Sequence, residues 1–331
     1  MAVTIKDVAK RVGVTPATVS MVINKSTKIS DHTRDKVLKA IKEMEYHPNY
    51  IGRSLVKGKS NAIAIVAPFF SSMFSMEVLK GVEAAIGNTN YSVMLFSTVG
   101  KDANGSESLR EILYGKRADG VIVLSLKVQK EVVNEFKKEG IPLISIEEIV
   151  ENIPVIKVDN IKGAYNAVSY LIQKKRKHIA LIVGKQCLDA EERVQGYAKA
   201  LAENQIKYDA TKVFRVKEHS FEEGKAMFEF LMKKRNRFDA VFCAAGDLTA
   251  IGIMEEAKAR GVKIPEDLAI VGYDDNYIAG FTTPALTTVR QPLYQMGRTA
   301  FDLLISVIEK KEPYDNRIVS FEPALISRTS A

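Results

Sequence analysis

Two cysteines in 331 residues, Cys187 and Cys243, are too few and too isolated for a disulfide framework or a zinc site. Both fall near apolar runs, where reduced core cysteines are expected. The first residues lack the apolar stretch of a secretory signal. No uninterrupted apolar run approaches the ~18 residues that would suggest a membrane span. A P-loop, a G-x-G-x-x-G opening a helix after a strand, a G-x-S-x-G elbow and an H-E-x-x-H pair are all missing. The four histidines, His32, His47, His178 and His219, are scattered. These absences predict a soluble cytoplasmic chain that is not an enzyme, with no catalytic residues, no metal, no cofactor and no membrane partner.

What is present is unevenly placed. The apolar content of 46% in 331 residues is enough for more than one core. The formal net charge is +8, and residues 1–60 hold 12 Lys and Arg against 5 Asp and Glu, while the remainder holds 36 against 35. Nearly all the excess positive charge therefore sits on the first segment, as phosphate-neutralising residues would. The near-neutral remainder does not read as a general polyanion binder.

That first segment reads as short helices. Thr4 and Asp7 have the spacing of a capping box, with Asp a weaker closing residue than Glu or Gln. Ile5, Val8, Ala9 and Val12 then form one apolar stripe, and Gly13 stops the helix. Thr15 caps a second helix with Pro16 in its first position, where a missing N–H costs nothing. Val19, Val22 and Ile23 share one face of it, leaving Ala17, Ser20, Met21 and Asn24 on the other. A third helix after Ser30 buries Val37, Ala40, Ile41 and Met44 and ends before Pro48. Two helices on a tight glycine turn, braced by a third, make a helix-turn-helix whose second helix can enter a DNA major groove.

Residues 48–59 form a linker too short to hold a helix alone, weakened further by Gly52, so folding against DNA is expected. From residue 61 on, apolar runs alternate with amphipathic helices. Strands are predicted at 62–67, 91–96, 120–124 and 141–146, with helices after the first and near 106–114 and 130–138. The pattern restarts after 155–158, with strands at 179–183, 212–216, 240–243, 269–271 and 287–289 and a final one at 317–321. Such alternation predicts α/β architecture, two lobes of doubly wound parallel sheet behind an all-α helix-turn-helix headpiece. Ligands of such sheets sit beyond the carboxyl ends of the strands. The strand ends here offer 68–74 with Ser72 and Phe74, then Glu147 and Glu148, 187–189, Asp247, and 273–275 with Asp274. Carboxylates and an arginine beside an aromatic ring suit a polyhydroxylated or heterocyclic molecule.

Residues 4–10, 14–20, 22–24, 46–49 and 53–55 resemble the headpiece of the lactose-repressor (LacI/GalR) family, and the resemblance runs to the last residues. It implies a periplasmic-binding-protein-like core and the division 1–47 headpiece, 48–60 hinge helix and linker, 61–331 effector-binding and dimerisation core. The N-lobe would comprise about 61–158 and 289–319, the C-lobe about 159–288 and 320–331. In the core it marks Arg193 as the effector-binding arginine, Asp247 and Asp274 as polar partners, and Phe74 as the aromatic against the ligand. The chain departs from the family where Ser71, Ser72 and Met73 replace the Asp and Asn of many sugar-responsive members. Glu147 and Glu148 stand where an aspartate is usual, and the added negative charge disfavours phosphorylated ligands.

For DNA, phosphate contacts are expected from Thr4, Thr15, Thr18, Asn24, Thr33 and Arg34, with Asn49 and Lys57 in the hinge. Base reading falls to Pro16, Ala17, Ser20 and Met21, an apolar set that can touch thymine methyls but cannot pair bidentately with guanine. Leu55 occupies the position of the leucine that the family wedges into a central minor-groove step. The resemblance implies a homodimer on double-stranded, pseudo-palindromic operator DNA, answering to a small-molecule effector such as a sugar, or to a protein corepressor as some relatives do. The rival from another class is a cytoplasmic sugar-binding or sugar-modifying protein with a vestigial helical cap, using Asp247 or Asp274 as acid and base.

Overall fold

A computed structural model describes residues 3–24, 26–47, 59–87, 89–100, 104–185, 187–233 and 238–331. The chain divides into two compact units, residues 1–60 and 61–331. Of the residues expected to touch DNA, Asn49, Leu55 and Lys57 lie outside the described residues.

Among the described residues the first unit holds three helices, α1 (Ile5–Val12), α2 (Pro16–Ile23) and α3 (Asp31–Glu43). The Thr4 N–H and hydroxyl both donate to Asp7 Oδ2, at 2.9 and 2.7 Å, so Asp closes the box despite its short side chain. Those bonds hold the Asp7 carboxyl below the usual carboxylate range. Gly13 takes φ of 74°, the left-handed turn that lets α1 end and α2 start at once. Val8, Ala9, Val19, Val22, Val37, Ala40 and Tyr46 make the core, with Ile23, Ile41 and Met44 packed at its edge.

The second unit holds two six-stranded sheets. In chain order its first elements are β1 (Ala62–Ala67), α4 (Met73–Ile86), β2 (Ser92–Ser97), α5 (Ser106–Tyr114), β3 (Gly120–Leu124), α6 (Lys130–Glu139), β4 (Leu143–Ile146) and β5 (Val155–Val158). There follow α7 (Asn160–Gln173), β6 (Ile179–Val183), α8 (Leu188–Glu203), β7 (Val213–Arg215), α9 (Phe221–Met232), β8 (Ala240–Cys243), α10 (Asp247–Ala259) and β9 (Ala269–Asp274). The last are β10 (Thr287–Arg290), α11 (Leu293–Ile308), β11 (Ile318–Phe321) and β12 (Ala324–Ile326).

The N-lobe sheet runs β11-β5-β4-β3-β1-β2, all parallel. The C-lobe sheet runs β12-β10-β9-β8-β6-β7 and is parallel except for β12, which pairs antiparallel with β10. The strand expected to be final, β11, is thus followed by one more. The chain passes between the sheets after β5, after β10 and after β11.

Both faces of each sheet are covered, which is why β1, β3, β6 and β8 read as continuous apolar runs. In β1, Ile63 and Ile65 face Val78 and Val82 of α4 and Phe301 and Leu304 of α11, while Ala64 and Val66 face Leu109, Ile112 and Phe136 of α5 and α6. β2 lies at the sheet edge and leaves Met94 and Leu95 exposed. Glycines let the helix pairs touch backbone to backbone. A Cβ at Gly81 of α4 would stand 2.0 Å from the Tyr294 carbonyl oxygen, and one at Gly297 of α11 2.0 Å from that of Val78. No described helix is long and apolar enough to cross a membrane.

Candidate functional site

Arg193 lies one and a half turns into α8 and is 5% exposed, so its charge depends on the partners around it. Its Nε donates to Asn160 Oδ1 at 2.9 Å and Nη1 to the Ala244 carbonyl at 2.8 Å. Nη2 is 3.3 Å from Asp189 Oδ2, one helical turn back. The guanidinium carbon is 4.0 Å from the centre of the Tyr273 ring, whose hydroxyl also donates to Asn160 Oδ1, at 3.0 Å. Burial works against the guanidinium's charge, but Asp189, Tyr273, Asp274 and Glu147 overcome it and hold the proton more tightly than usual. For Asp189, burial raises the carboxyl, yet Arg193, the Cys187 thiol and the Ala190 N–H bring it below its ordinary value. Cys187 donates to Asp189 Oδ1 at 2.6 Å, and burial and that carboxylate push its thiol up to about 12, so it is no nucleophile.

The other carboxylates arrive from strand ends of both lobes. Glu147 follows β4 of the N-lobe in the left-handed region, φ 75°, and Asp274 closes β9 of the C-lobe at φ 105°. Non-glycine residues in such conformations are strained, a feature that concentrates at ligand sites. Glu147 Oε2 accepts from Ser125, which ends β3, at 2.6 Å. Burial and the charge of Asp189 push the Glu147 carboxyl up to about 8, with Asp274 adding to the effect and Arg193 opposing it. Glu148 is also raised, by burial and Asp189, against the pull of the Leu188 N–H and Lys127. Asp274 Oδ1 accepts from Gln291 Nε2 at 2.7 Å, and burial lifts it above the ordinary carboxylate range against Arg193 and Gln291.

The residues expected around the effector separate into groups. Glu147, Arg193 and Asp274 come close enough for each charge to act on the others. Asp247 is fully buried at the start of α10, where Oδ1 accepts from the Thr288 hydroxyl at 2.6 Å and Oδ2 from the Asn276 N–H at 2.7 Å. It braces the loop carrying Asp274 and Asp275, and burial keeps its carboxyl well above the usual range. Ser72 caps α4 through the Ser75 N–H at 3.1 Å, and Phe74 packs against the N-lobe core. Asn160, Asp189 and Gln291 complete the arrangement; of the three only Asp189, in the strand-end stretch 187–189, was among the sequence-derived candidates for the ligand site. Asp189 alone carried a legible signal, its i, i+4 spacing from Arg193.

On the headpiece, Thr15 Oγ1 accepts the Thr18 N–H at 3.2 Å and shares a hydrogen bond with its hydroxyl, fixing the start of α2. Pro16 and Ala17 are exposed, and Ser20 and Met21 half-buried. Asn24 turns its amide back onto the Ser20 carbonyl at 2.8 Å. Thr33 bonds the Ser30 cap, and Arg34 Nη2 donates to the Ser26 carbonyl at 2.9 Å, tying down the loop before α3.

Comparison with known proteins places this geometry. Residues 4–49 match the family described as bacterial regulatory proteins, lacI family, and residues 168–331 the periplasmic binding protein-like domain. The chain is 36% identical to the HTH-type transcriptional regulator RegA of Clostridium saccharobutylicum, over 100% of this chain and 99% of that protein. It is 31% identical to catabolite control protein A of Priestia megaterium over the same shares. Among solved structures, a complex of the transcriptional regulator CelR with cellobiose aligns with a TM-score of 0.75 at 31% identity, covering 99% of this chain and 100% of the other. The chain belongs to the lacI family of DNA-binding bacterial transcriptional regulators, a helix-turn-helix headpiece joined to a periplasmic-binding-protein-like core.

Proposed function

We propose that the protein is a cytoplasmic homodimeric repressor that releases or grips a pseudo-palindromic operator according to a sugar-class small molecule held between its lobes. The observation that carries the effector half is the buried Arg193, stacked on Tyr273, with Glu147 and Asp274 brought beside it from opposite lobes. Forked donors, acceptors and a ring are what a polyhydroxylated molecule needs. Support comes also from the 31% identical regulator bound to cellobiose. For the dimer, the N-lobe exposes Met76, Met94 and Leu95, and the C-lobe exposes Phe281 at 83% and Tyr277 at 66%. Apolar surface of this extent marks interfaces.

On DNA, α2 of each headpiece would lie in a major groove, presenting Pro16, Ala17, Ser20 and Met21 to base edges. Thr4, Thr15, Thr18, Asn24, Thr33 and Arg34 would fix its register on phosphates, with Asn49 and Lys57 beside a Leu55 wedge. The effector acts only as far as its affinity differs between the operator-binding and released states.

The test is a mobility shift on DNA recovered by unbiased selection. Binding should fall by about a thousandfold or more between about 50 and 200 mM salt if six or more phosphates are contacted. Arg193→Ala, with Arg193→Lys as the milder change, should abolish the effector response while sparing operator binding. No preference for any selected sequence over random DNA refutes the DNA half, and a mutant that still responds at the same ligand concentration refutes the effector half.

A further inference from the structure

The charges around the cleft do not balance. Arg193 is matched by Asp189 at 3.3 Å, and Lys157 of β5 pairs with Glu192 of α8. Lys127 acts on Glu148, and Asp247 has both oxygens bonded inside its own lobe. Glu147 and Asp274 remain, facing each other's charge with, among the described residues, one hydrogen bond from a side chain apiece, from Ser125 and Gln291. His219 acts on both Asp189 and Asp274, and the Tyr273 hydroxyl lies within the influence of the same two carboxyls.

A second observation is independent of the acids. Gln291 is 4% exposed, and its amide nitrogen is committed to Asp274 Oδ1. That fixes its carbonyl oxygen beside the same carboxylate, and this oxygen is buried with no donor among the described residues. A buried acceptor without a donor costs about 1–3 kcal/mol in general, so natural proteins rarely keep one unless something else supplies the hydrogen. The cleft thus gathers three acceptor groups, Glu147, Asp274 and the Gln291 carbonyl, and among the described residues no positively charged side chain hydrogen-bonds to them, Arg193 acting on the two carboxyls through its charge alone.

We propose that the effector carries an ammonium group, as an amino sugar does, which donates to Glu147, Asp274 and the Gln291 carbonyl while Arg193 and Tyr273 hold the rest of the ring. An ammonium has three donors and no acceptor, matching three acceptors. A hydroxyl in its place gives one donor and leaves the carboxylates uncompensated. An N-acetyl group removes the charge and adds an acceptor of its own. This deepens the reading of the cleft as a sugar-class effector site and rests on it. The high carboxyl of Glu147 fits the same picture, since an arriving cation takes the place of the proton.

The experiment titrates the full-length protein by calorimetry with glucose, glucosamine and N-acetylglucosamine, and with the matching galactose series. At least one amine should bind about tenfold or more tighter than both its hydroxyl parent and its N-acetyl counterpart. Glu147→Gln should remove about tenfold of that amine's affinity and change the parent sugar's by less than about threefold. The ligand comparison on the unmutated protein stands even if the variant fails to fold. Neutral sugars binding with no preference for the amine overturn the ammonium but leave the sugar site standing. Silence from all six compounds overturns both readings.

Discussion

Replacing Glu147 by Gln removes one carboxyl whose environment differs sharply between folded and unfolded chain. Unfolded, it titrates near 4.5; folded, burial and the charge of Asp189 push it up to about 8. Between those values the unfolded chain gives up a proton that the native protein retains, so raising the pH favours unfolding across that window. The penalty is absent below the lower value and complete above the upper one. At about 1.4 kcal/mol for each tenfold, the gap corresponds to about 5 kcal/mol. Glu147 is half-buried, so water at the cleft recovers part of this, and about 2–4 kcal/mol is expected. Gln keeps the shape and can still accept from Ser125, so the lost bond contributes little. Differential scanning calorimetry of both proteins, without ligand, at about pH 5 and about pH 9 reads the effect. The Tm of the variant relative to the unmutated protein should rise by about 4–16 °C between the two, using about 2–4 °C per kcal/mol for a unit of this size. Glu148, Asp247 and Asp274 titrate in both proteins and largely cancel in the difference. A Tm difference that stays flat with pH, or changes in the opposite direction, refutes the buried-carboxyl argument.

Two further changes probe the units separately. Gly81→Ala would put a Cβ 2.0 Å from a backbone oxygen of α11 and should cost the core about 3 kcal/mol or more by chemical denaturation, whereas Gly280→Ala, with nothing within 4 Å, should stay within about 0.5 kcal/mol. Thr15→Ala deletes the cap of α2 and should destabilise the headpiece by about 1 kcal/mol, read as weakened DNA binding with an unchanged core melting transition.

The elements that could be read from the sequence were those whose burial is local in pattern. β3, β6 and β8 are unbroken apolar runs because helices cover both faces, and the runs coincide with the strands. β12 was missed: three residues at an edge, two of them half-buried and one exposed, leave no periodicity to detect. The surroundings of Arg193 were harder. Glu191 and Glu192 stand beside it in sequence, but adjacent helical positions point apart. The structure gives Glu191 to Arg215 and Glu192 to Lys157, and leaves Arg193 to Asp189 on its own face. Asn160 and Gln291 were invisible for another reason. They lie 33 residues from Arg193 and 17 from Asp274, beside two passages of the chain between sheets, and the packing of α7 on α8 and the pairing of β10 with β9 bring them in.

That passage has a mechanical consequence. Asn160 follows the first crossing and Gln291 sits at the second, so the segments that join the lobes are bonded directly to the cleft residues. Asn160 accepts from Arg193 and Tyr273 and donates to Glu192, whose carboxylate also binds Lys157 of the N-lobe sheet. An effector of the proposed kind that draws Arg193 or Asp274 toward itself would therefore compete with bonds made by the segments that join the lobes, without any relay through the helices behind the sheets. The same wiring bounds the response. The network holds only a few charge-assisted bonds, each worth a few kcal/mol at most, so the coupling it can transmit is about 1–3 kcal/mol, or about 5- to 150-fold in affinity. Under the proposed effector reading such a regulator would be graded by its ligand, and a larger response would require the two copies of the proposed dimer to act together.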